Sequence, residues 1–350
     1  MYYDRRNLHG GSCGRGALRA DFSVNVNPLG TPESVKKAFR AAAGELWRYP
    51  DPFCRGLVRA AAAYEHTAEE NILFGNGASE LIFCFRSALG IRRLLLASPA
   101  FSGYREGSGA EVLLYPLREE LGFSLDEGVL PFLEREGSAP GAAVMLGSPN
   151  NPTGRLIRPD LLEAILRLCR EMNLPVLADE CFLDFTEAHG ESLTKRLSEF
   201  PNLFVLKAFT KNFGLAGLRL GVLFSSDHGA LRRIAAASPP WNVSLPAQRA
   251  GIAALSEGVF LERTRELVRR ERAFLAEELQ KCPCVDRVIP SDANFLLFHG
   301  PEDLGQSLLS RGIAVRTFSP EEGLSAGWCR AAVRLHKENE MLLSAIRAAV

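Results

Sequence analysis

No apolar run in this chain is long enough to cross a bilayer, and the opening MYYDRRNLHGG lacks the apolar stretch of a secretory signal. Both absences point to a cytoplasmic protein with no membrane partner. An excess of one charge is missing too, because 41 Lys and Arg meet 41 Asp and Glu. A nucleic-acid binder normally carries a basic surplus, so no nucleic-acid partner is expected. The 8 cysteines are scattered, apart from Cys282-Pro283-Cys284. Without a second Cys or His cluster that pair makes no metal site, and the thiols read as reduced. No internal repeat, low-complexity tract or flexible linker breaks the 350 residues. That length exceeds one ordinary hydrophobic core, so two units are expected.

What the chain has is alternation. Candidate strands lie at 92–101, 111–117, 141–149, 174–182, 202–209 and 218–226, with a helical pattern clearest at 159–173. Near-continuous apolar strands alternating with helices specify an α/β layer on a mostly parallel sheet. Thr31 followed by Pro32 reads as the cap and first turn of a further helix. From about 245 onward a long charged helical pattern precedes strand-like VDRVIPS, NFLLFH, IAVRTF and CRAAVRLH. These predict a smaller α+β unit. The expected division is 31–244 for the larger unit, with 1–30 and 245–350 together forming the smaller.

Ligands of such sheets bind at the carboxyl ends of the strands, so the loops there carry the chemistry. FGNGASE (74–80) opens a helix whose Gly77, Ala78 and Ser79 would offer backbone N–H groups and a positive dipole end to an anion, although GNG is more often just a turn. Asp179 ends the apolar LPVLAD. A carboxylate there needs a cation or strong donor, as a salt-bridged cap or as the partner of a protonated ring nitrogen. Asn151 in SPNNPTG is either a turn residue or an amide donor to a phenolate-like oxygen. Phe101 is a core aromatic or the stacking face for a flat ring.

Lys211 stands just past the strand 202–209, beside Thr210, where its amine could form a Schiff base with an aldehyde. Lys207, inside the strand, is expected to run its stem past the core to water. Arg219 returns to the same strand end, where a guanidinium suits a phosphate dianion. Each feature alone is more often structural. Together they match pyridoxal phosphate: lysine for the aldehyde, aspartate for the ring nitrogen, asparagine for the ring oxygen, and the remainder for the ring face and the phosphate.

SPNNPTG, LADE and FTKNFGLAGLRLG, in this order, resemble the fold-type-I pyridoxal-phosphate enzymes of the histidinol-phosphate aminotransferase group over nearly the whole chain. The resemblance implies a large domain with a mixed, mainly parallel sheet between helices, and a smaller α+β domain built from both chain ends. It implies a homodimer with shared active sites, in which Tyr49 of RYPD (48–51) reaches the neighbouring subunit's cofactor phosphate. Within the group, HGG (9–11) with DFSVNVNPLG (21–30), and PPW (239–241) followed by NVS, resemble the threonine-phosphate decarboxylases of cobalamin biosynthesis. Phe101 and Phe182 stand where the aminotransferases usually have tyrosines, which leaves Asn151 as the main donor to the ring oxygen. Cys181 replaces a common alanine. By the same resemblance His9, Asn25, Arg316 and Arg334 hold the phosphate and carboxylate of a small phosphorylated amino acid. The runner-up is an aminotransferase of histidinol phosphate. Serine phosphate as substrate differs by one methyl. A non-catalytic pyridoxal-phosphate sensor would normally carry a basic DNA-binding module.

Overall fold

The computed structural model describes residues 10–11 and 18–349. Its centre is a seven-stranded sheet of β2 (Ile72–Gly75), β3 (Arg93–Ser98), β4 (Glu111–Pro116), β5 (Ala142–Gly147), β6 (Val176–Asp179), β7 (Leu203–Ala208) and β8 (Gly221–Phe224). The N-terminal β1 (Ala20–Asp21) lies outside it. The spatial order is β2-β8-β7-β6-β5-β3-β4, and only the pairings of β8 with its two neighbours are antiparallel.

The apolar runs end up in the middle because both faces of the sheet are covered. Along β5, Val144 and Leu146 enter the core shared with Ile165 of helix Pro159–Glu171 and Leu57 of helix Arg55–Glu65. The alternate Ala143 and Met145 enter the core shared with Phe85 of helix Gly77–Ala88 and Ile234 of helix His228–Ala237. β7 is buried at every residue.

A four-stranded antiparallel sheet of β9 (Arg287–Ile289), β10 (Phe295–His299), β12 (Arg316–Thr317) and β13 (Trp328–Ala332) forms a second layer, in the order β12-β13-β10-β9. IAVRTF, expected as one strand, splits in two: β11 (Ile313–Ala314) pairs with β1, and β12 pairs with β13. The N-terminal segment is thereby tied to the C-terminal one, and Phe22 packs with Leu279, Phe298 and Leu342. Among the described residues no helix is long and apolar enough to cross a membrane.

Three local expectations change. Thr31 does not cap its helix: Pro32 is the N-cap of Glu33–Ala42, and the Thr31 hydroxyl donates to Gly214 O at 2.9 Å. The helix Leu245–Ala254, grouped by sequence with the smaller unit, buries Ala247, Ala250 and Ala254 in the core of the large sheet. Lys207 does not reach water. Its Nζ donates to both Glu65 carboxylate oxygens at 2.8 and 2.9 Å, with Glu180 Oε2 at 3.9 Å. Burial pulls its pKa down, but Glu65, Asp184 and Glu180 more than reverse this and hold it above the usual lysine range. A buried ammonium needs such partners.

Candidate active site

The carboxyl ends of β2, β3, β5, β6 and β7 face the same edge of the sheet, and β8 starts there. A cavity of about 290 Å³ opens at that edge, roofed by the segment 23–25 and by residues of the second sheet.

One end of it is an anion cradle. Ala78 and Ser79 at the start of helix Gly77–Ala88 line the cavity with Thr210 and Arg219. Gly77 sits behind the lining at φ +79°, and a Cβ there would lie 2.6 Å from an Arg219 Nη atom. Glycine is required on both counts, since few side chains adopt that φ and none would leave the guanidinium in place. Helix dipole, free N–H groups and guanidinium together favour a dianion.

The floor carries Asp179 as the last residue of β6. Its Oδ2 accepts from the Tyr104 hydroxyl at 2.8 Å, and its Oδ1 from the Cys181 backbone N–H at 2.9 Å. Burial raises the Asp179 pKa, opposed by donation from Cys181 and Tyr104 and by the charge of Lys211. Phe101 lines the cavity and meets the Tyr104 ring edge-on at 5.5 Å. Phe182 packs edge-on against Phe295 at 5.0 Å and supplies a second apolar wall. Tyr104 went unnoticed in the sequence. The 3₁₀ turn Ser102–Tyr104 folds it back under Phe101, and buried Arg86 clamps the turn by donating to the Tyr104 and Glu106 carbonyls. Tyr104→Phe removes one charge-assisted bond, and we expect a stability loss of about 2 kcal/mol. Urea midpoints of the two proteins, compared at equal slope, check this, and an unchanged midpoint refutes it.

Lys211 lies on the single turn Phe209–Asn212 after β7 and lines the cavity. Burial first, then the nearby Arg330 and Arg219 charges, lower its pKa to about 8, with Cys181 and Asp179 opposing. A lysine so placed is largely available as the free amine at mildly alkaline pH.

The far end is cationic. β12 and β13 pair so that Arg316 lies directly opposite Arg330, and opposed residues share a face. Arg330 Nη2 donates to Ser23 O at 2.8 Å, and Nη1 donates to Asn151 Oδ1. Because a guanidinium only donates, the Asn151 oxygen must face it, which leaves the amide NH₂ to act as donor on its other side. Asn25 lines the cavity with its Oδ1 buried and unpartnered, and Arg330 Nε is buried and unpartnered as well. Groups of this kind call for a polar ligand. Arg316 Nη2 donates to Glu322 Oε1.

Most of the residues expected from sequence therefore meet in one cavity: Ala78, Ser79, Phe101, Asn151, Asp179, Thr210, Lys211, Arg219, Asn25 and Arg316. Three do not. His9 lies outside the described residues. Tyr49 does not line the cavity; it is 77% exposed and lies against Trp241, with ring centroids 4.7 Å apart. Arg334 is placed elsewhere: it lies two residues past the end of β13, and its Nη2 donates to Glu338 Oε1 at 2.6 Å. Of the two arginines in CRAAVRLH, the one that enters the cavity is Arg330, which sequence reasoning passed over.

The family model for aminotransferase class I and II matches residues 20–346. The chain belongs to that family. It is 35% identical over 333 residues to a threonine-phosphate decarboxylase of Salmonella typhimurium, covering 93% of this chain and 90% of the relative. It is 31% identical over 338 residues to a histidinol-phosphate aminotransferase of Thermoanaerobacter pseudethanolicus, covering 94% and 92%. The crystal structure of the histidinol-phosphate aminotransferase from Clostridium acetobutylicum superposes with a TM-score of 0.86 at 29% identity, covering 94% of this chain and 98% of that one. The fold is thus that of the fold-type-I aminotransferases, and the protein is a pyridoxal-phosphate-dependent enzyme. Its residues fit that cofactor: an anion cradle, a buried carboxylate, an oriented amide and an activated lysine line one cavity together with the apolar rings of Phe101 and Phe182.

Proposed function

We propose that the enzyme decarboxylates L-threonine O-phosphate to aminopropanol phosphate, a step of cobalamin biosynthesis, as a cytoplasmic homodimer. The observation that carries a doubly anionic substrate is the pair Arg316 and Arg330, which lie opposite each other and both line the cavity. A substrate with two anionic ends suits two guanidiniums there. The similarity to a threonine-phosphate decarboxylase over nearly the whole chain supports it, and so does the Phe101 and Phe182 lining, which lacks phenol hydroxyls.

Pyridoxal phosphate, when bound, supplies the electron sink for a bond broken at the substrate's Cα. Arg219, Thr210 and the N-terminus of helix Gly77–Ala88 would hold its phosphate. Asp179, itself fixed by Tyr104 and Cys181, would meet its ring nitrogen. Asn151 would donate to its ring oxygen, and Phe101 would cover one face. Arg330 grips the substrate carboxylate and Arg316 its phosphate, with Asn25 between. A substrate gripped in this way would present one bond at Cα for cleavage, and Lys211 would return a proton to that carbon. Tyr49, exposed in the single chain, would complete the cradle of a second copy.

Holoenzyme mixed with L-threonine O-phosphate, without an oxo acid, should release CO₂ with steady turnover. The second reading, favoured by aminotransferase relatives at 31% and 35% identity, is amino transfer from histidinol phosphate. Transfer to 2-oxoglutarate with no CO₂ would establish that reading and overturn the first.

A further inference from the structure

Lys211 stands on a turn that cannot hold itself. Phe209–Asn212 is only four residues long. A helix that short makes almost none of its own hydrogen bonds, so its carbonyl groups depend on outside donors. One residue supplies a donor to each of the two peptides that follow the lysine. The Asn27 backbone N–H donates to Lys211 O at 3.0 Å, and Asn27 Nδ2 donates to Asn212 O at 2.6 Å. The same amide nitrogen donates to Thr264 Oγ1 at 2.8 Å, on the long helix Gly258–Gln280. Asn27 Oδ1 accepts from the Leu29 N–H at 2.9 Å, and Asn27 O accepts from the Gly30 N–H at 3.0 Å. A carbonyl only accepts, so these partners fix which way the amide points. Asn27 is buried, and each of its polar atoms is engaged.

The contact continues on both sides. The Asn212 side chain is committed elsewhere: its Nδ2 donates to Asp184 Oδ2 at 2.6 Å, and its Oδ1 accepts from the Phe213 N–H at 3.0 Å. Past the turn, Gly214 takes φ +65°, and a Cβ there would lie 2.8 Å from Gly30 O. Only glycine lets the two backbones come so close. Upstream, the same segment roofs the cavity, where Asn25 lines it and Ser23 O accepts from Arg330. One strip of chain thus touches the site at its cationic end and behind its lysine. We infer that Asn27 is a positioning residue for Lys211: it fixes the two peptides after the lysine and so aims the amine at the cofactor's aldehyde. The side chain of lysine is long, so a small rotation at its Cα is magnified at Nζ. A misplacement of about 1 Å at a reacting group can cost about 10²-fold. Without this hold, the effective concentration of the amine at the aldehyde falls, while the contacts to the phosphate and the ring stay. The inference rests on the reading that Lys211 holds pyridoxal phosphate covalently; it does not depend on the substrate.

The test is a double-mutant cycle read by cofactor binding. Dissociation constants for pyridoxal phosphate are measured by equilibrium dialysis on the full chain at pH 8, with Lys211 present and in the Lys211→Ala background. Their ratio is the gain from the covalent hold. Two changes at Asn27 are made in each background. Asn27→Ser keeps a hydroxyl that can accept from the Leu29 N–H but cannot reach Asn212 O. Asn27→Asp keeps the size and, when ionised, loses both donors; it serves as well if the serine variant does not fold. The expected result is a ratio that falls about tenfold or more in either variant, with binding in the Lys211→Ala background changed less than about threefold. Thr264→Val removes the acceptor on the other branch and leaves Asn212 O its donor, so it should keep the ratio within about threefold. A ratio that stays or rises in the Asn27 variants overturns the inference; equal weakening in both backgrounds would make Asn27 a plain structural residue. A fall in Thr264→Val as large as in Asn27→Asp would also overturn it, by giving the effect to the packing of the long helix. If the unaltered chain and Lys211→Ala bound the cofactor equally tightly, the reading of Lys211 itself would fail, and that result is distinct from the others.

Discussion

Lys211→Ala should lower turnover by at least about 10³-fold and end the covalent hold on pyridoxal phosphate. Borohydride should fix the cofactor to the wild-type chain but not to the variant, as absorbance after denaturing gel filtration will show. A variant that still takes up the label would remove Lys211 from its assigned place. The same residue has a cost in the cofactor-free protein that gives a second, independent signature. Its ordinary pKa of 10.5 falls to about 8 in the fold, with burial as the first cause. Between those values the unfolded chain holds a proton that the folded one has lost, so stability rises with pH across that window, and below about pH 8 the penalty is present in full. Lys211→Met, which keeps the stem and drops the charge, should therefore stabilise the apoprotein at pH 7, by about 3 kcal/mol at most. By pH 10.5 the gain should have largely vanished. Urea unfolding of both apoproteins at the two pH values measures this, and equal midpoints at pH 7 would refute it.

The strand ends were legible because buried parallel strands read as unbroken apolar runs, and whatever polar residue ends such a run is exceptional. Asp179 and Lys211 were found in that way, and Arg219 by its return to the same place. What could not be read was set by distant neighbours. Lys207 looked like a surface-seeking lysine because its partner Glu65 lies 142 residues earlier in the chain. Tyr104 reads as one more aromatic in SPAFSGY, and its bond to Asp179 spans 75 residues. Glu322 sits in an acidic, loop-like stretch, and nothing local marks it as buried against Arg316. Tyr49 emerged only through resemblance, and by itself the chain leaves that side chain in solvent beside Trp241.

CRAAVRLH shows the limit most sharply, and its two arginines should separate by orders of magnitude when each is cut to alanine. They are four apart, hence on the same face of a strand that continues through both. The strand stops at Ala332, and register against β12 aims only Arg330 into the cavity. Arg330→Ala removes a buried guanidinium that holds Asn151 and would grip a substrate anion. Loss of a buried, hydrogen-bonded charge partner costs roughly 2–5 kcal/mol, so kcat/KM should fall by about 30-fold to several thousand-fold. Arg330→Lys should recover little, because an ammonium cannot span Asn151 Oδ1 and Ser23 O as a planar fork does. Arg334 instead makes a partly exposed pair with Glu338 four residues on. Pairs of that kind are worth about 0.5 kcal/mol, so Arg334→Ala should leave kcat/KM within about threefold. Steady-state kinetics on the three variants with one phosphorylated substrate decide the matter. If Arg334→Ala proved the crippled variant, the carboxylate grip would lie past the end of β13, and the part given to Arg330 would have to be withdrawn.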